Sequence, residues 1–169
     1  GNLILEPGLA GEIVVKSDTP VAFIKYWEND DETQKKVVQG WLYTGDYAYT
    51  DDEGYFYFKG REDDIINTSG YRVGPSEIED CILSHSEVEM VGVIGVPDEI
   101  RGNVIKAFIV PMNKKNVLSQ NDKLKLNIQN LVKLKLAAHE YPRIIEFVKE
   151  LPMTTTGKII RKKLRENNK

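Results

Sequence analysis

The chain has 169 residues, 41% of them apolar, enough for one ordinary core or one small core and part of a second. Its 23 Lys and Arg against 26 Asp and Glu give a net charge of -3, which removes the long-range attraction a general nucleic-acid binder needs, so nucleic acid is excluded as a partner. No apolar run approaches the roughly 20 residues that span a bilayer, and no basic-then-apolar signal segment opens the chain, so a soluble protein is expected.

Residues 11–16 (GEIVVK) and 54–58 (GYFYF) are rich in β-branched and aromatic side chains and bounded by turn formers, among them Asp51-Asp52-Glu53-Gly54. The first sixty residues therefore read as strands and loops. After Arg61 strands and helices alternate. Residues 64–67 are a short strand candidate. Ser76 is expected to open a helix with Glu79 completing a capping box and Ile78, Cys81 and Ile82 forming its apolar stripe. Residues 91–96 and 104–110 are apolar runs of strand length, separated by the turn chemistry of Pro97-Asp98 and Arg101-Gly102-Asn103. In 121–138, Leu124, Ile128 and Leu131 recur at helical spacing, and Pro142 ends that helix. Residues 143–148 are a further strand candidate, 152–157 a polar loop, and Lys158 onward a short basic helix or tail. Together these predict an α+β chain: a β-rich N-terminal segment, then a small domain with a short sheet and helices.

The one cysteine, Cys81, cannot close an internal disulfide and rules out a Cys-rich zinc cluster; it fits a reducing compartment, cytosol or mitochondrial matrix, and is expected to pack as a small hydrophobe. The chain opens Gly1-Asn2-Leu3 without an initiator methionine, as though cut from something longer, so any upstream targeting peptide would be out of view.

Three polar, glycine-bearing stretches interrupt this pattern, and catalytic groups concentrate on loops held by rigid scaffolds. In Trp41-Leu42-Tyr43-Thr44-Gly45-Asp46 a carboxylate follows a glycine, where it could approach a diol closely; taken alone, a β-turn with a solvated Asp is the commoner meaning of Thr-Gly-Asp. In Gly60-Arg61-Glu62-Asp63-Asp64, followed by Ser69-Gly70-Tyr71-Arg72, an arginine meets paired acids where the composition shifts, as an interdomain hinge or as a surface turn with local ion pairs. In Thr154-Thr155-Thr156-Gly157-Lys158 a lysine sits on a hydroxyl-rich loop. This is not a phosphate-binding P-loop, because Pro152 replaces the first glycine and Ile159 follows the lysine in place of Ser or Thr. His85 and His139 stand alone and read as structural.

All three stretches in this order resemble the C-terminal part of adenylate-forming enzymes, with Trp-x-x-Thr-Gly-Asp, Gly-Arg-x-Asp-Asp, Ser-Gly-x-Arg, and Leu-Pro-x-Thr-x-x-Gly-Lys from Leu151 to Lys158. Gly11-Glu12-Ile13 and Tyr26-Trp27 are similar to the preceding family segment. Pro97-Asp98-Glu99-Ile100-Arg101-Gly102, Lys106-Ala107-Phe108, Tyr141-Pro142-Arg143 and Glu146-Phe147 look most like medium-chain acyl-CoA synthetases, with acetyl-CoA synthetases close behind.

That resemblance implies an acid–thiol ligase that makes acyl-AMP from a carboxylic acid and MgATP and passes the acyl group to coenzyme A. It assigns residues 1–61 to the end of a large N-terminal domain and 62–169 to a mobile C-terminal domain, with the hinge at Asp63. By the same likeness Lys158 is the catalytic cation, Asp46, Arg61 and Arg72 bind nucleotide, and Ser69 and Gly70 line the pantetheine route. Lys133 is a candidate for the CoA 3′-phosphate, with Lys135 and Arg101 as alternatives. Mg²⁺ arrives with the ATP phosphates, and no ligand cluster for it appears in the sequence. The family's Ser/Thr/Gly-rich phosphate loop and its acyl pocket are absent, so the chain alone is expected to be inactive and to need its own N-terminal domain. Two alternatives stay open: an adenylating domain that loads a carrier protein, and a non-catalytic nucleotide- or CoA-binding module.

Overall fold

The computed structural model describes residues 3–119 and 121–168; the opening Gly1-Asn2, Gln120, and Lys169 at the end of the basic tail lie outside the described residues. The chain is α+β and divides into two compact units, Gly1–Asp63 and Asp64–Lys169. Among the described residues no helix is long and apolar enough to cross a membrane.

In the first unit a single sheet holds β1 (Gly11–Lys16), β2 (Val37–Val38), β3 (Trp41–Thr50) and β4 (Phe56–Arg61), with β3 paired antiparallel to the other three. The stretch from Trp41 to Asp46, expected to interrupt the elements, is instead the first half of β3; its aromatic and β-branched side chains suit a pleated surface. β1 aligns Glu12 with Tyr47 and Val14 with Tyr43, so Ile13 alone stands opposite Thr44, Gly45 and Asp46, and β3 bulges there. Between β1 and β2 no helical stripe is legible, yet α1 (Asp30–Lys36) forms. Local electrostatics build it: the Asn29 side chain accepts from the Glu32 N–H at 3.2 Å, three acids fill the first turn, and Lys35 and Lys36 the last. β4 begins at Phe56 and not at Gly54, because Asp51 Oδ1 accepts from the Glu53 and Tyr55 amides (3.0 and 2.9 Å) and holds those residues in the turn.

The second unit opens with a hairpin of β5 (Ile66–Thr68) and β6 (Tyr71–Val73). The strand expected over 64–67 starts later because Glu62–Asp64 is a 3-10 turn. Then follow α2 (Pro75–Leu83), β7 (Val88–Asp98), β8 (Gly102–Pro111), α3 (Lys115–Ser119), α4 (Asp122–Lys135), β9 (Ile144–Phe147) and α5 (Arg161–Glu166). β7 and β8 pair antiparallel, β8 and β9 parallel. Side chains alternate across β8: Ile105, Ala107 and Ile109 face a core with Ile78 and Ile82 of α2 and Leu124, Ile128 and Val132 of α4, while Phe108 and Val110 face a second cluster with Ile94, Leu151 and Leu164. Both faces of this sheet are covered, which is why its strands read as nearly continuous apolar runs.

The expected capping box of Ser76 and Glu79 does not form. Gly74 is the N-cap of α2 with Pro75 in the first turn, no side chain caps the helix, and Glu79 turns inward and is buried. Proline's fixed φ starts the helix ahead of Ser76 and frees Glu79 for another task. In α4 the Asn121 side chain caps the Leu124 N–H at 3.2 Å, and the helix stops at Lys135, before Ala138, where Leu136 turns extended. Cys81 is a buried free thiol, and burial pushes its pKa up.

Candidate functional site

In the first unit the bulge of β3 organises the polar groups. Thr44 Oγ1 donates to the Ile13 carbonyl (2.7 Å) and accepts from the Asp46 N–H (3.0 Å), while the Gly45 N–H donates to Glu12 Oε1 (2.8 Å). Gly45 has φ +80°, and a Cβ there would lie 3.1 Å from Arg61 Nη2 and 3.3 Å from Lys36 Nζ, so the absence of a side chain lets two cations close on the bulge. Asp46 and Arg61 are register partners on β3 and β4, and Arg61 Nη1 donates to Asp46 Oδ1 at 2.8 Å. Through Nε the same guanidinium reaches Asp63 Oδ1 at 3.2 Å. All three side chains are well exposed, so these pairs hold geometry more than they add stability.

The second unit presents two exposed turns. At the first, Ser69 and Gly70 join Thr68 to Tyr71 with φ of 50° and 85°, the pair of positive φ values that a two-residue hairpin loop requires. The Ser69 N–H donates to the Arg101 carbonyl (3.0 Å) and Asn103 Nδ2 to the Asn67 carbonyl (3.0 Å), tying this tip to the β7–β8 turn. A Cβ on Gly70 would meet no atom within 4 Å. Arg72 is exposed on β6, and Tyr71 stacks on His139 with centroids 3.9 Å apart. His85 Nδ1 accepts from the Glu87 N–H at 3.2 Å.

The second turn carries Lys158. Met153 and Ile159 bridge its base, the Thr154 N–H donates to the Lys158 carbonyl (2.8 Å), and the Lys158 N–H donates to Thr154 Oγ1 (3.0 Å). The backbone is thereby fixed while the side chain is exposed, and among the described residues its ammonium meets no acceptor. A cation so held can meet an incoming anion without first breaking an internal ion pair.

Behind this turn lies a network that sequence reasoning missed. Arg161 donates from Nη2 and Nε to Glu79 Oε2 and Oε1 (2.6 and 3.3 Å) and from Nη1 to Asp64 Oδ2 (3.0 Å); Arg165 Nη1 adds 3.1 Å to Asp64 Oδ1. The Val93 N–H also donates to Glu79 Oε1 at 2.8 Å. Burial pushes the Glu79 carboxyl up, offset in part by Arg161 and the Val93 amide. For Arg161 burial acts downward, but Glu79 and Asp64 outweigh it and hold the guanidinium above its ordinary value. The only sequence signals were the second acid of Asp63-Asp64 and an arginine three residues past Lys158.

The candidates for a distal phosphate are spread out. Lys133 Nζ lies 4.2 Å from the Tyr141 ring centroid with Arg143 at 5.0 Å, Lys135 Nζ donates to Ser84 Oγ (3.0 Å), and Arg101 pairs with Asp98 at 3.6 Å. Among the described residues no group of three or more His, Cys, Asp or Glu side chains could hold a metal ion.

Residues 77–158, from the first turn of α2 to Lys158 itself, match the AMP-binding enzyme C-terminal domain family. The chain carries an AMP-binding enzyme C-terminal domain. It is 46% identical over 166 residues to the human mitochondrial acyl-coenzyme A synthetase ACSM1, covering 96% of this chain and 29% of that protein. To the acetyl-coenzyme A synthetase of Bacillus subtilis (strain 168) it is 44% identical over 162 residues, covering 95% and 28%. The structure of the anthranilate CoA ligase AuaEII in complex with anthranoyl-AMP superposes with a TM-score of 0.83 at 37% identity, over 98% of this chain and 31% of that one. The chain thus spans under a third of the length of these relatives. The AMP-binding enzyme C-terminal domain includes the fixed Lys158 loop, while Asp46, Arg61 and the Ser69-Gly70 tip lie ahead of the matched residues.

Proposed function

We propose that this chain is the C-terminal part of an acid–thiol ligase, in which a carboxylate attacks the α-phosphorus of ATP, pyrophosphate leaves, and the acyl group of acyl-AMP then passes to the thiol of coenzyme A. The observation that carries this reading is Lys158: an exposed ammonium with no partner among the described residues, on a loop whose backbone is closed at its base. Both reactants of the first step are anions, so their approach needs a cation between them, and orientation and charge together lower that barrier. Lys158 supplies it.

Asp46 accepts from the ribose hydroxyls of the adenylate, with Arg61 setting its orientation across the β3–β4 pair. Asp63 is the hinge, at the boundary between the two units, about which residues 62–169 turn as a mobile domain against residues 1–61. In one pose Lys158 faces the reacting atoms. In the other the tip at Ser69 and Gly70 lines the pantetheine arm, its open side matching a need for space. Arg72 then meets a phosphate or the hinge acid, and Lys133 the CoA 3′-phosphate. Mg²⁺ enters with the triphosphate; the described residues do not form a site for it, and no step here depends on one.

Support for residues 1–61 as the end of a larger domain comes from their packing. Among the described residues of the first unit only Gly45, Ala48 and Gly60 are buried. Val21, Ile24, Trp27 and Phe56 are 90%, 91%, 85% and 70% exposed, so the unit has no core of its own and its apolar side calls for a covering domain. The compartment that fits is cytosol or mitochondrial matrix, in line with a reduced Cys81 and mitochondrial relatives.

The test uses the full-length protein with a panel of short- and medium-chain acids. Acid-dependent ATP–pyrophosphate exchange is expected, lost by about 100-fold or more in Lys158→Ala, while CoA thioester formation from supplied acyl-AMP survives. Exchange untouched by the substitution refutes the role of Lys158. No exchange with any acid favours a non-catalytic binding module.

A further inference from the structure

The Lys158 loop is tied to the second unit at three points. Met153 and Ile159 bridge its base. Leu151 before it and Leu164 after it are buried with Ile94, Phe108 and Val110, which fixes the loop against the sheet. The third tie is different in kind: Arg161, three residues beyond Lys158, joins Asp64 to Glu79. Asp64 directly follows Asp63 in the chain, so this contact connects the lysine loop to the point where the second unit begins. Its side chains are 19% exposed for Arg161, 10% for Asp64 and 11% for Glu79, so water competes weakly for these hydrogen bonds.

We propose that Arg161, clasped between Asp64 and Glu79, is a positioning residue for adenylation, which keeps the Lys158 loop in fixed register with the hinge so that rotation about residue 63 returns the ammonium to one point. The inference rests on the reading of Lys158 as the adenylating cation. A planar fork that meets one carboxylate in two bonds and a second in another cannot be replaced by an ammonium, which is a single point charge on a flexible stem. Loosening the clasp leaves Lys158 present but displaced, and a misplacement of about 1 Å costs about 100-fold in rate. Acyl transfer to CoA, which uses the pose without Lys158, does not depend on the clasp in this way.

In the full-length protein, ATP–pyrophosphate exchange and acyl transfer from supplied acyl-AMP to CoA are compared for wild type, Lys158→Ala, Arg161→Lys and Asp64→Asn. Arg161→Lys loosens the centre of the clasp and Asp64→Asn one end of it, and both keep a cation opposite at least one carboxylate. Exchange is expected to fall by about tenfold to 100-fold in both, with transfer within about twofold of wild type. Equal losses in the two half-reactions mark a purely structural role and overturn the inference. So does unaltered exchange in both variants while Lys158→Ala abolishes it, an outcome that leaves the Lys158 reading standing. Exchange that survives Lys158→Ala overturns that reading, and the inference with it.

Discussion

Asp98 shows how one carboxylate holds a turn. Its Oδ1 accepts from the Arg101 N–H at 2.8 Å and the Ile100 N–H at 3.1 Å, and the Arg101 carbonyl in turn accepts from Ser69 at the hairpin tip. The Arg101 amide above all holds the Asp98 carboxyl below its ordinary value, against a smaller opposing effect of burial. A carboxyl depressed on folding contributes stability that is present above its unfolded pKa and is lost as pH falls through the folded one. Asn in its place keeps an acceptor but not the charge. Urea midpoints of wild type and Asp98→Asn should therefore differ near neutral pH and converge as pH falls through the lowered carboxyl pKa of folded Asp98; a gap that stays constant across that range contradicts the assignment. The Pro97-Asp98 turn was legible because its chemistry is local. Glu79 was misread for the opposite reason: three residues from a serine it has the spacing of a capping box, and its real partner, Arg161, is 82 residues away and leaves no periodic trace.

Among the elements, β7, β8 and the apolar stripe of α2 were legible because hydrophobic period and burial agree there. β6 was missed: three residues, with Tyr71 and Arg72 exposed, carry no alternation to read, and the strand exists because Ser69 and Gly70 turn the chain back onto β5. That turn makes a prediction at this scale. In Gly70→Ala the added Cβ meets nothing within 4 Å, so the cost to the fold is the left-handed backbone alone, about 1 kcal/mol. If the tip lines the pantetheine route, acyl transfer to CoA in the full-length protein falls by more than about tenfold while ATP–pyrophosphate exchange persists. A transfer rate that stays at the wild-type level removes Gly70 from that route. The bulge of β3 was hidden for a further reason: Thr-Gly-Asp has the composition of a turn, and only pairing with β1 and β4 makes it an irregular strand.

For the whole molecule, the contrast between the units carries the account. The second encloses two apolar clusters, on either side of its three-stranded sheet; the first leaves its large apolar side chains uncovered. Composition alone allowed one core and part of a second, and the ordered motifs indicated which part belongs with absent neighbours. The acyl preference was not legible, since in the proposed reading the acyl pocket belongs to the covering domain. The central claim is that the full-length protein activates a carboxylic acid through its adenylate and hands it to CoA. It is tested most directly by incubating that protein with ATP, Mg²⁺, CoA and each acid of a short- to medium-chain panel, and identifying the nucleotide and thioester products by mass. AMP and acyl-CoA are expected in equal amounts with at least one acid; ADP in place of AMP, or no acid-dependent nucleotide product at all, would overturn the adenylation reading.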